Sequence, residues 1–321
     1  MFFSSFPLWA QFSGYQSLHL PSGARNAALG GKVVSLADKD INQFTHNPAS
    51  LDSMEATQLS VTYSPYFAGI NQFIGHFYAP VLNGVAVGLS YLDYGAFIET
   101  DPTGTLSESF KAQDYVITVG KSHRLGSFTF GLNLKFVNSS VESYGSSLLL
   151  GDLGGIYHYP GGDFKVGLVL KNFGFQFSQF SALKDQVPFD VQFGTSVKPK
   201  YMPVRFTITA YNLVSEGMVF RSGDDLNTAR TVRAFDSFFR RINVGMELIL
   251  SRHVNLLVGY NHLRKQELKL EETGGGAGFS YGLMIAIKRF EFRYGRAVYH
   301  ASSGANFFTL TTNINSFKKV F

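Results

Sequence analysis

Residues 127–139 read SFTFGLNLKFVNS. Phe128, Phe130, Leu132, Leu134 and Phe136 take every second position, with Thr129, Gly131, Asn133 and Lys135 between them. Successive side chains of an extended strand point to opposite faces, so this stretch has one apolar face and one of glycine, hydroxyl, amide and charge. The pattern recurs along the chain. Val166, Leu168 and Leu170 oppose Lys165, Gly167 and Lys171; Val204, Phe206, Ile208 and Ala210 oppose Arg205, Thr207 and Thr209. Ile242, Val244, Met246 and Leu248 oppose Asn243, Gly245 and Glu247; Phe279, Tyr281, Leu283, Ile285 and Ile287 oppose Ser280, Gly282 and Lys288. Phe290, Phe292 and Tyr294 oppose Glu291, Arg293 and Gly295. No charge falls on the apolar face of these strands. At the middle of a bilayer such a charge would cost about 2–4 kcal/mol, which suits a lipid-facing wall. A soluble sandwich burying its inner face shows the same alternation.

The connections separate the two. Strands are expected at 56–63, 71–79, 84–98, 110–121, 127–141, 147–159, 164–172, 189–198, 203–213, 240–250, 254–262, 277–288, 290–299 and 305–313. Every second connection is short, at 80–83, 122–126, 160–163, 199–202, 251–253 and 289, and most others are long, notably 99–109, 173–188, 214–239 and 263–276. Short turns at one end and long loops at the other mark an outer-membrane barrel, closed so that no strand edge is left unpaired in lipid. The expected fold is all-β: a transmembrane antiparallel β-barrel of about 14 strands, an even number that puts both chain ends at the short-turn, periplasmic side of a bacterial outer membrane.

Composition agrees. Charged residues are sparse at 16%, while 33 Gly, 32 Phe and 16 Tyr are abundant. With a mean hydropathy of only +0.03, this is what strands apolar on one side give. There is no cysteine, which excludes disulfides and thiolate metal sites. The net charge of +5 is spread over many strands and loops, so no nucleic-acid surface is indicated. No apolar run of about 18 residues exists to span a membrane as a helix.

Residues 21–51, PSGARNAALGGKVVSLADKDINQFTHNPASL, differ from everything after them. Small residues dominate, no period of 2 or 3.6 is sustained beyond a short apolar turn around residues 27–29, and Asn47-Pro48 marks a turn. An irregular segment of this kind needs neighbours for its backbone groups. The expected arrangement is a plug at 11–55 inside a barrel at 56–321, after an apolar stretch at 1–10 that resembles the end of a signal peptide. Inward Gly131, Gly167, Gly245, Gly259 and Gly282 leave room for it. Lys135, Arg205, Glu247 and Arg293 face inward, available to Arg25, Asp38 and Asp40; Asn47 and Pro48 complete the expected plug–lumen contacts.

Catalytic, cofactor and metal sites are not expected. The eight histidines are scattered without ligand spacing, Gly274–Gly276 lacks the strand–helix context of a phosphate cradle, and Asp93, Asp101 and His300 are rim residues such as any barrel carries. The 214–239 loop is different. It interleaves Arg221, Asp224, Arg230 and Arg233 with Met218, Phe220 and Phe235, a mixture of charge and apolar anchors suited to docking a partner or to covering the barrel mouth.

Arg25-x-x-x-Leu29-Gly30-Gly31 followed by Asn47-Pro48-Ala49-x-Leu51 resembles the hatch of FadL-type outer-membrane proteins. Asp152-Leu153-Gly154, Gly167 and Lys171-Asn172-x-Gly174 resemble the branch of that PorV/FadL-like superfamily belonging to the type IX secretion system of Bacteroidota. So do Asn243-x-Gly245-x-Glu247, residues 259–264 (GYNHLR) and residues 278–282 (GFSYG). The resemblance runs from about residue 14 to about residue 313. Separately, the aromatic Phe321 resembles the C-terminal assembly signal of outer-membrane barrels. The family resemblance has functional consequences. It implies a non-enzymatic membrane anchor for cell-surface attachment of secreted cargo. Its partners would be a PorZ-like surface protein, PorU/PorV-like members of the attachment complex, outer-membrane lipid and lipopolysaccharide. The alternative is a FadL-like channel for hydrophobic small molecules, which needs an apolar pocket where the inward positions are Gly, Thr, Asn and charge.

Overall fold

The computed structural model describes residues 15–82, 84–100, 106–142, 144–178, 187–214, 238–267, 276–299 and 304–314. The strands are β1 (Gln58–Pro65), β2 (Asn71–Ala79), β3 (Val85–Thr100), β4 (Leu106–Leu125), β5 (Phe128–Val141), β6 (Tyr144–His158) and β7 (Phe164–Ser178). They continue with β8 (Asp190–Val197), β9 (Val204–Ala210), β10 (Ile242–Ile249), β11 (Val254–Asn261), β12 (Phe279–Ile287), β13 (Phe290–Val298) and β14 (Gly304–Asn313). Each pairs antiparallel with its sequence neighbour, and β1 pairs with β14 to close the barrel, Gln58 facing Asn313. The start of β1 and the end of β14 therefore share the short-turn end.

The wall inverts the rule of water-soluble proteins. On β5, Phe130 is 50% and Leu134 55% exposed, while Thr129 and Asn133 are wholly buried. Leu168, Ile208, Tyr281 and Phe292 are likewise exposed, and Gln192, Thr207, Glu247 and Arg293 are buried inside. Apolar outside and polar inside is the arrangement for hydrocarbon, and no described helix is long and apolar enough to cross a membrane instead.

Three strands are longer than their alternation indicates. β4 begins at Leu106, taking in the last residues of the loop expected at 99–109, and continues to Leu125. β6 begins at Tyr144, three residues ahead of the expected start. β7 passes Asn172 and takes in the first residues of the loop expected at 173–188. Lys171 and Asn172 both point inward, Asn172 at φ +58°, and the β6–β7 register shifts between Gly151 and Leu153. This bulge switches the phase of the alternation, so that Phe173, Phe175 and Phe177 all face out. A strict period of 2 ends where the phase changes; the strand does not.

The segment before β1 lies inside the barrel. It contains single-turn 3-10 helices at Gln16–Leu18 and Ile41–Gln43, a longer one at Pro48–Ser53, and α1 (Ala24–Ala28) where only a short turn was expected. Local chemistry sets the last two 3-10 helices. The Asp40 side chain accepts from Asn42 N; Asn47 accepts from Ala49 N, with Pro48 filling the first helical position where no N–H is needed. Tyr15 starts the described chain among the long-loop ends of β6 and β7, its hydroxyl 2.7 Å from Ser146 Oγ and accepting from Gln176 Nε2 at 2.8 Å. The insert thus traverses the lumen before entering β1 at the opposite end. Residues 1–10, the C-terminal aromatic Phe321 and the anchors Met218, Phe220, Arg221, Asp224, Arg230, Arg233 and Phe235 lie outside the described residues, as do Asp101 and His300.

Candidate functional site: the occupied lumen

Glycines of the wall make room for the insert backbone. A Cβ on Gly131 would stand 2.3 Å from the Pro48 carbonyl carbon, one on Gly167 2.2 Å from Val34 O, and one on Gly259 2.3 Å from Gly30 N. Gly245 and Gly282 face insert side chains instead, Leu29 at 3.1 Å and the Ala28 Cβ at 2.6 Å. Gly295 meets the Ala24 backbone, Gly154 the Asn47 and Pro48 side chains, Gly194 the Val34 side chain, and Gly88 and Gly120 the Phe44 ring. Where the neighbour is insert backbone, at Gly131, Gly167, Gly259 and Gly295, the 2.2–2.3 Å approach leaves no space for a side chain.

Wall side chains satisfy the insert's irregular backbone. Asn243 Nδ2 donates to Leu29 O at 2.8 Å and Lys32 O at 2.7 Å; Asn133 Nδ2 donates to Phe44 O at 2.8 Å. Lys171 Nζ donates to Thr45 O, Lys165 Nζ to Ala37 O, and Arg264 Nη2 to Gly30 O, while Thr309 Oγ1 accepts from Ala24 N. Sequence reasoning missed Asn133, Asn243 and Thr309 as contacts, because an inward amide or hydroxyl looks the same whether it faces water or a carbonyl.

Charges concentrate at one place. Arg25, on α1, is bonded to Asp38 at 2.7 Å, Glu247 at 2.8 Å and Asp40 at 3.4 Å. Arg205 reaches both Asp38 and Glu247, and Arg293 reaches Asp40 at 2.6 Å and Glu291. Three guanidiniums and four carboxylates from β9, β10, β13 and the insert form one cluster, most of it buried. Burial alone would raise the Asp40 carboxyl, but Arg293 and Arg25 more than offset that and hold it at about 2. Asn47, on the other side of the lumen, donates to Val34 O at 2.8 Å and Gly155 O at 3.3 Å.

Lys135 stands apart from the other wall charges. Its ammonium binds Asp152 at 2.6 Å and Asn172 Oδ1 at 2.8 Å, both on the wall, and makes no ion pair with Asp38 or Asp40. Its acid partner is on the adjacent strand β6 and was not foreseen. At the rim, the Asp93 side chain accepts from Gly95 N two residues on, a local turn.

No family model matches this chain, and no curated protein matches it by sequence. Solved structures do match in fold. The Pseudomonas putida toluene transporter TodX aligns with a TM-score of 0.55 at 11% identity, covering 92% of this chain and 99% of that one. A Pseudomonas aeruginosa FadL homologue aligns with a TM-score of 0.50 at 9% identity, covering 91% and 98%. The chain has the fold of FadL-type outer-membrane barrels.

Proposed function

We propose that this chain is an outer-membrane barrel of the FadL-like superfamily whose lumenal insert controls entry of a small hydrophobic molecule, with both chain ends on the periplasmic side. The whole-length likeness to a toluene transporter carries this reading. The apolar outer belt and the ion-paired insert support it, since a channel of this kind must seal against ions between passages. The test is uptake of radiolabelled toluene or a long-chain fatty acid into vesicles containing the refolded protein. Uptake above protein-free vesicles that saturates with substrate is the expected outcome; equal uptake with and without protein refutes it.

A second reading is favoured by the polarity of the lumen, where Asn, Thr, Arg and Glu meet the insert. In it the barrel is a static anchor, similar to PorQ, in the type IX secretion attachment complex. The barrel holds a PorZ-like surface protein for modification of cargo with lipopolysaccharide, and the chemistry resides in the partners. Deletion of 214–239 should then release a surface partner on co-purification while the barrel stays folded. Unchanged recovery of that partner rejects the anchor.

A further inference from the structure

A cavity of about 60 Å³ remains between the insert and β2–β7. About 10–15 Å³ on this measure holds one water, so the space admits a few waters or a small ion. Its wall includes Lys135, Lys171, His46, His76, Ser17 and Ser90, and no carboxylate lines it.

The polar groups in this wall are incompletely used. Lys171, 8% exposed, has three donors, and one of them goes to Thr45 O at 3.0 Å. The nearby acids are engaged elsewhere: Asp152 with Lys135 and Asn172, Asp190 with Gln192 and Asn212 N. His46 is 5% exposed, and neither ring nitrogen meets a hydrogen-bonding partner; Ser17 Oγ is in the same position. Burial, reinforced by Lys171 and Lys32, keeps the His46 ring neutral, so it offers one N–H. Buried donors of this kind carry a large desolvation cost that a matching acceptor removes.

We propose that this chamber binds a small free oxyanion, of the size and charge of phosphate or a short carboxylate. Lys171 Nζ supplies its unused donors, carrying the proton that the bound anion favours, and His46 and Ser17 donate hydrogen bonds. The inference does not depend on either reading of what the barrel does.

Calorimetric titration of the detergent-solubilised full chain with inorganic phosphate, sodium acetate and sodium laurate tests it. Saturable binding of phosphate or acetate with one site per chain is expected. Lys171→Met should weaken it at least about 10-fold, the scale of a lost charge-assisted hydrogen bond. Lys171→Arg, which preserves charge and guards against a folding artefact, should retain binding, as should Lys200→Met at an exposed turn lysine. Absence of heat with both small anions overturns the proposal, as does an unchanged affinity in folded Lys171→Met. Binding of laurate alone also overturns it, in favour of a hydrophobic occupant.

Discussion

Arg25→Ala should loosen the insert without unfolding the wall. The arginine side chain is 5% exposed and makes three ion pairs, at 2.7, 2.8 and 3.4 Å. Removing one partner of a buried pair costs about 3–5 kcal/mol, because the opposite charges are left without compensation. Here Arg205 still covers Asp38 and Glu247, and Arg293 still covers Asp40, so the lower figure applies. About 3 kcal/mol corresponds to roughly a 100-fold rise in the open fraction of the insert. The chain contains no cysteine, so a single reporter thiol is unambiguous. Ser35→Cys is suited to this: the residue is 0% exposed and its Oγ has no hydrogen-bond partner to lose. Maleimide labelling of Ser35→Cys in detergent should be slow with Arg25 present and about 100-fold faster in the Arg25→Ala background. Lys39→Ala, which removes an exposed pair to Glu55, should change labelling by less than about fivefold, since such pairs contribute about 0–1 kcal/mol. Labelling within about twofold of the parent, in a barrel that keeps its heat-modifiable gel mobility, would refute the claim that the charge cluster holds the insert.

Gly131→Val should expel the insert's 48–49 turn or prevent refolding, costing upwards of about 1–3 kcal/mol, because its Cβ would meet Pro48 and Ala49 backbone at 2.3–2.7 Å. Gly155→Ala, with nothing nearer than 3.9 Å, should be silent in the same thermal melt. On the outer face, Leu134→Arg should destabilise refolding into vesicles by about 2–4 kcal/mol in a denaturant titration, whereas equal stability would argue against lipid contact there. Asp40 sets the acid limit. Its folded pKa of about 2 lies below the ordinary value near 3.9, so its contribution is present above about pH 4 and disappears as pH falls through about 2. Calorimetry should find the wild-type transition nearly constant from pH 6 to about 4.5. Asp40→Asn should lower that transition at pH 6 and narrow the gap as the pH approaches 2.

The sequence made the membrane wall legible through an alternation that needs no tertiary information. Side chains of a strand must alternate, and lipid admits no charge, so Phe128–Phe136 reads the same with or without coordinates. The even strand count and the closed order follow from hairpins between neighbours. What failed was local. β7 changes phase at Lys171–Asn172, and a reading tied to period 2 stops there. The small residues of 21–51 marked a packed segment, and five inward glycines of the wall indicated where it would lie. The five-residue α1 was too short to leave a period.

Which groups meet inside was a matter for the folded barrel alone. Glu247 follows Arg25 by 222 positions, and Asn243 follows Leu29 by 214; no spacing rule connects them, because their meeting depends on register around a closed sheet and on the path of the insert through it. Lys135 shows the same limit. Its inward direction is fixed by parity in the sequence, but its choice of Asp152 over an insert acid is set by the β5–β6 register, which places Asn133 opposite Asp152. Periodicity determined which face each residue takes, since that depends only on the backbone geometry of neighbouring positions. Closure of the barrel decided which distant side chains share the interior, since that depends on every strand at once.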